Sequence, residues 1–301
     1  MRSVGSKMSP VLAEVTVPLP PARNVASTDG VSIATYDYGG AGRDVLFVHA
    51  TGFHAGVWGP MSAELTEFHR VALDVRGHGH SSAPEHGMAW EGTARDVLAT
   101  VDTFGLDRPI GVGHSMGGAS LLLAEQARPG TFSLLWLFEP ILIPAGLDLP
   151  GENPLAAGAA RRRPDFPSKE EAFANFAHKP PLSALAEACL AAYVEYGFEP
   201  LDDEPEGWVT LLCRPEVESE TFRMGSRHHA FEHLDEVGCP VIVVRGGDDG
   251  AGPASFAPLV VDPLPDGRLE DHPDLGHFGP LEAPEAMAAS VRSAARTHDL
   301  A

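Results

Sequence analysis

The 301-residue sequence predicts an α/β protein: a mostly parallel, doubly wound sheet carrying an inserted helical cap. Three observations predict it. Short, continuously apolar runs alternate with helical patterns, as expected of parallel strands covered on both faces. The run PIGVGH leads directly into a serine held between glycines, in GVGHSMGGAS (111–120), and an Ala/Leu-rich helical run follows at once. The alternation then stops after Pro144 and resumes only at Cys239-Pro240, which marks an insertion.

The elements follow in order. VLFVHA (45–50) and VALDVRG (71–77) read as buried strands. Between the second of these and PIGVGH (109–114), Trp90, Ala94, Val97, Leu98, Val101 and Phe104 recur at helical spacing. ASLLLAEQA (119–127) continues as a helix, and LLWLFEP (134–140) is the next strand. From about 144 to 236 the patterns are helical (SKEEAFANFAHK, PLSALAEACLAAYVEYGF and roughly 216–234), with no convincing strand. PVIVVRG (240–246) restarts the sheet, GRLEDHP (267–273) reads as the last strand, and a helix closes the chain. The expected organisation is a core of 1–143 and 237–301 with a helical cap of 144–236 over the C-terminal edge of the sheet, where open α/β sheets bind ligands.

Composition narrows the function classes. Forty-two acidic against 21 basic residues give a net charge of −21, which argues against nucleic acid or an anionic membrane as partner. Cys189, Cys213 and Cys239 are widely spaced and odd in number, so neither a disulfide framework nor a zinc knuckle is expected. The first residues lack the apolar core of a signal peptide, and no run reaches membrane-spanning length, so a cytoplasmic monomer or homodimer is expected. His229 and His233 stand at i,i+4 in RHHAFEH without an evident third ligand, and no metal is assigned. Arg161, Arg162 and Arg163 form the one basic cluster, expected to be solvated or paired with Asp165, Glu170 and Glu171 rather than to meet an anionic substrate. Phe166, Phe173, Phe176, Tyr193 and Tyr196 are expected in the cap's core more than in a pocket.

The chemistry-bearing residues centre on Ser115. Strand, sharp turn and helix form the context in which a serine hydroxyl projects above a sheet. A serine needs a base, and His277, in a Gly-flanked loop after the probable last strand, is the candidate among 14 histidines. Two carboxylates compete to orient it. Asp249, in VRGGDDG beyond a late buried strand, is preferred, because its loop reaches toward that of His277 from the neighbouring strand; Glu139, in WLFEP at the end of the strand after the serine's helix, is the alternative. The loop HATGFHAGVW (49–58) places the Thr51 N–H to meet the Met116 N–H at one point, as an oxyanion hole requires.

Taken jointly, HATGF, DVRGHGHSS (74–82), GHSMG, VRGGDD and DLGHFGPLEAPE resemble the motifs of α/β-hydrolase-fold serine hydrolases over roughly residues 28–300. Ala50 stands where that family usually has glycine. The resemblance implies structural roles for Asp74, Arg76 and His78, a cofactor-free mechanism and a small-molecule substrate. It implies cleavage of an ester, lactone or related acyl bond through an acyl-enzyme on Ser115, with Phe53 and His114 beside the substrate. A perhydrolase or haloperoxidase, a carbon–carbon bond hydrolase, or a ligand receptor with weak turnover are the alternatives on the same residues.

Overall fold

A computed structural model describes residues 15–144, 153–201, 207–225, 228–248, 250 and 252–300. Its main sheet is built from β1 (Arg23–Ala26), β2 (Ser32–Gly39), β3 (Asp44–Val48), β4 (His69–Leu73), β5 (Ile110–His114) and β6 (Leu134–Phe138). A second, small sheet holds β7 (Asp165–Phe166), β8 (Phe198–Pro200) and β9 (Val209–Leu211), and the main sheet is completed by β10 (Val241–Arg245) and β11 (Gly267–Asp271). The main sheet is eight-stranded in the order β1-β2-β4-β3-β5-β6-β10-β11. The strands from β4 to β11 in that order pair in parallel, and β1 and β2 add antiparallel to one edge.

Every expected core strand is present; most lie within two residues of their expected bounds, while that expected over 71–77 is His69–Leu73. The pleat sends alternate side chains to opposite faces. Phe47, Val112, Trp136, Phe138 and Val244 join one core with Met287 and Val291 of the helix Pro284–Thr297, and the Trp136 indole N–H donates to Ser290 Oγ at 2.8 Å. Leu46, Val48, Leu135, Leu137 and Val243 join the other, with Trp90 and Val97 of the helix Trp90–Phe104 and Leu121 of the helix Met116–Ala127. Burial on both sides is what made these runs continuously apolar.

The segment between β6 and β10 departs from the all-helical expectation. It has helices at Pro154–Ala159, Lys169–Ala177, Glu187–Tyr196 and Pro215–Met224, but also the antiparallel sheet β7-β9-β8. Strands of two or three residues leave no alternation to detect, so their sequence carries no sign of them. The helical run expected over 216–234 ends at Met224, and Ala230–Glu236 is a separate 3₁₀ segment. His229 and His233 are exposed there and each pairs with a glutamate, Glu232 and Glu236, at 3.0 and 2.9 Å. Among the described residues no helix is long and apolar enough to cross a membrane.

Asp74, Arg76 and His78 lock the turn beyond β4. Asp74 Oδ1 accepts from the Ala55 N–H at 2.6 Å, and its Oδ2 accepts from the His80 N–H and the Tyr36 hydroxyl at 2.9 and 3.0 Å. Arg76 forks onto Asp96, Nε to Oδ2 at 2.9 Å and Nη2 to Oδ1 at 2.8 Å, and His78 Nδ1–H donates to the Arg76 carbonyl at 3.0 Å. Asp96 is fully buried. Arg76→Met therefore leaves an uncompensated charge in the interior and is expected to cost about 3–5 kcal/mol, read as a lowered urea midpoint. An unchanged midpoint would contradict this account of the pair.

Candidate active site

The sheet order reverses between β3 and β5: the chain runs from β3 outward to β4, then returns to the other side of β3 as β5. Loops leaving the C-terminal ends of β3 and β5 diverge at such a point and open a crevice between them. Ser115 follows β5 and Thr51 lies in the loop after β3, so both stand at this crevice.

Ser115 has φ 54° and ψ −113°, a backbone conformation that ordinary residues avoid at a cost of about 1–3 kcal/mol. The turn is held from both sides: the Ser115 N–H donates to the Phe138 carbonyl at 2.9 Å and the Ser115 carbonyl accepts from the Ile141 N–H at 3.2 Å. Gly117 explains the flanking glycine. A Cβ there would lie 2.0 Å from the Val48 carbonyl oxygen and 2.8 Å from that of His49, so the first turn of the helix rests directly on the end of β3. What passes close to the serine's turn is the backbone of the oxyanion-loop candidate.

That loop is fixed by histidines. The buried His49 accepts the Val75 N–H at its Nε2 (2.9 Å), which leaves Nδ1 as donor to the Ala50 carbonyl (2.8 Å). Burial holds the His49 pKa well below the usual imidazole value. His54 accepts the Gly56 N–H at Nδ1 and donates from Nε2 to the Tyr193 carbonyl, each at 3.1 Å, and burial pushes its pKa down to about 4. Ala50 needs no glycine, because the left-handed conformation falls two residues later, at Gly52 with φ +81°. Phe53 packs on Tyr193 and on Phe278, with ring centroids 5.2 and 5.4 Å apart, so the loop also touches the residue after His277.

Glu139 lies where the sequence offered its alternative acid. Its Oε2 accepts from His277 Nδ1–H at 2.6 Å, and its Oε1 accepts from the Gly246 N–H at 2.8 Å. Its own backbone takes φ 43°, turning the chain sharply as it leaves β6, and the carboxylate is 2 % exposed. With both oxygens occupied, this buried carboxylate has the partners it needs. Asp249, the preferred acid of the sequence reading, lies outside the described residues. Its neighbour Asp248 is tied into a local turn, with Oδ1 accepting from Ser255 Oγ at 2.6 Å and the Gly250 N–H at 2.9 Å.

His114, expected beside the substrate, lies underneath the histidine loop. It is 1 % exposed, and its Nε2–H donates to the His277 carbonyl at 2.7 Å. Its ring packs 5.0 Å from that of His277, and burial holds its pKa well below the usual value. The residue preceding Ser115 thus anchors the backbone of His277. Phe53 lines a small cavity together with Gly52, His54, Tyr193, Leu211 and Cys213. Arg162 was missed as a structural partner: it meets Glu218 of the helix Pro215–Met224, not the nearby acids. Phe166, Phe176 and Tyr193 are buried in the inserted segment's core, as expected.

At the C-terminal edge of the sheet the His277 imidazole is paired with the Glu139 carboxylate, and Ser115 stands at the strained turn that leaves β5. Such a set can activate a hydroxyl for attack on an electrophilic carbon. Residues 45–290 match the profile of the alpha/beta hydrolase family. The chain belongs to that family of enzymes. A non-heme chloroperoxidase of Streptomyces lividans is 25% identical to it over 276 residues, covering 87% of this chain and 95% of the relative. Among solved structures, E-2-(acetamidomethylene)succinate hydrolase superposes with a TM-score of 0.78 at 23% identity, covering 91% of this chain and 98% of that one. An esterase from Rhodococcus sp. ECU1013 superposes with a TM-score of 0.68 at 23% identity, covering 90% and 97%. At these identities the superpositions speak for the fold.

Proposed function

We propose that this α/β hydrolase cleaves a small to medium carboxylic ester, lactone or related acyl bond through an acyl-enzyme on Ser115, with His277 as base and then acid and Glu139 as the carboxylate that orients it. The single observation carrying this reading is the Glu139–His277 contact of 2.6 Å, made by a carboxylate that leaves β6, the strand next to the one that ends at Ser115. In the mechanism, His277 takes the Ser115 proton as Oγ attacks the carbonyl carbon. The oxyanion accepts from the Thr51 and Met116 N–H groups. Collapse of the tetrahedral intermediate expels the leaving group, which receives the proton from His277. Water, deprotonated by the same imidazole, then releases the acid and frees Ser115. Glu139 holds the Nδ1 proton throughout, so the Nε2 lone pair faces the serine. No other group is required for these steps.

A second reading is favoured by the chloroperoxidase relative: the same acyl-enzyme releases its acyl group to hydrogen peroxide as a peracid. A panel of p-nitrophenyl esters and lactones of graded acyl size tests the first reading, and short carboxylic acids with hydrogen peroxide test the second. Repeated turnover of at least one ester is expected. A single stoichiometric release of nitrophenol, with a thermal shift but no turnover, would instead mark a ligand receptor.

A further inference from the structure

Three side chains of the inserted segment converge on the loop that carries Thr51. Arg162 stands beyond the helix Pro154–Ala159, Tyr193 on Glu187–Tyr196 and Glu218 on Pro215–Met224. Arg162 Nη1 donates to both carboxylate oxygens of Glu218, at 3.1 and 3.0 Å, and Nη2 donates to the Tyr193 hydroxyl. Its guanidinium also lies over the rings of Phe176 and Tyr193, at 5.5 and 5.7 Å. Glu218 is 6 % and Tyr193 1 % exposed while the Arg162 side chain is 20 % exposed, so the network is largely buried.

Each of three successive loop residues rests on a member of that network. A Cβ on Gly52 would lie 2.5 Å from Glu218 Oε1, so the carboxylate occupies the space beside the left-handed turn. Phe53 packs on the Tyr193 ring at 5.2 Å. His54 stacks on the same ring at 5.9 Å and donates to the Tyr193 carbonyl. A carboxylate so close to an oxyanion hole opposes the charge that develops there unless a cation compensates it. Arg162 is that cation.

We propose that Arg162, Tyr193 and Glu218 form a clasp that positions the Thr51 N–H, with Arg162 as a positioning residue that also neutralises Glu218; this rests on the acyl-transfer reading above. The clasp couples the inserted segment to the chemistry without touching the reacting atoms. Breaking it shifts the oxyanion donor, while Ser115 keeps its turn and His277 its carboxylate partner.

The test compares wild type, Arg162→Met, Arg162→Met/Glu218→Gln and the milder Tyr193→Phe on the best ester found. Amide hydrogen exchange over residues 51–54 is measured in the same proteins. Displacement of a catalytic group by about 1 Å costs on the order of 10²-fold. Arg162→Met is therefore expected to lower kcat by about that factor with KM changed less than about threefold, and to speed exchange at 51–54. The double variant is expected to regain part of kcat, because the uncompensated carboxylate is gone. Tyr193→Phe, which keeps the ring, is expected to show the same directions at smaller size. Unchanged exchange at 51–54 in a folded Arg162→Met or Tyr193→Phe protein overturns the clasp, as does a loss confined to KM or a double variant worse than the single. Should wild type turn over no acyl substrate, the acyl-transfer reading fails and the catalytic part of this proposal with it, while the exchange data still decide whether the clasp holds the loop.

Discussion

Replacing Ser115 with alanine is expected to lower kcat by about 10³-fold or more while leaving the thermal midpoint unchanged or slightly raised. The chemical loss follows from the roles: without Oγ no acyl-enzyme forms, and what remains is the residual contribution of binding and the oxyanion donors. Stability is expected to hold because the Ser115 backbone makes the contacts that keep the turn, through its N–H to Phe138 and its carbonyl to Ile141. The check is steady-state kinetics on the best ester beside a thermal melt. Activity within tenfold of wild type would remove the serine from the mechanism.

The second large effect is expected at Glu139. Glu139→Gln preserves the shape but replaces a carboxylate with an amide, whose NH₂ or weaker carbonyl meets His277 Nδ1. The imidazole then loses its preference for the tautomer with a proton on Nδ1, and the imidazolium formed during attack loses its counter-charge. A fall in kcat of roughly 10²–10⁴-fold is expected. Asp248→Asn is the control: Asp248 serves its own turn through Ser255 and Gly250, and its substitution is expected to leave kcat nearly unchanged. Asp249→Asn belongs in the same series as the competing acid. If Asp249→Asn is the crippling change and Glu139→Gln is tolerated, the orienting carboxylate comes from the loop after β10 and not from the end of β6.

The competition between those two acids shows what a sequence can and cannot carry. Both stand just beyond an apolar strand, and chain order does not say which strands are neighbours. The sheet order does: β6 lies between β5 and β10, so the residue leaving β6 emerges beside the strand that presents Ser115. Glu139 did leave one local sign, a carboxylate placed at the end of a fully apolar run, where it is costly without a partner. The sharp turn at Ser115 was legible because the glycine beyond it must lie against the end of β3. The parallel strands were legible because burial on both faces writes a continuous apolar run.

The rest was hidden for equally physical reasons. β1 and β2 lie on the antiparallel edge, and β2 is spelled SIATYDYG, whose polar letters mask a strand that is half buried. The strands β7, β8 and β9 are too short for any period. The Arg162–Glu218 pair joins residues 56 apart in sequence, so local charge patterning pointed Arg162 toward the wrong acids. That Ala50 needs no left-handed conformation, which falls at Gly52, is something only backbone geometry reveals.

The central claim is that Ser115 is the nucleophile, activated through His277. Its most direct test is reaction of the native protein with a fluorophosphonate, followed by peptide mapping of the adduct in wild type, Ser115→Ala and His277→Gln. The account predicts one adduct per chain on the peptide containing Ser115, none in Ser115→Ala and strongly slowed labelling in His277→Gln. An adduct on a different residue, or ester turnover that persists in a protein whose Ser115 is fully labelled, would contradict it.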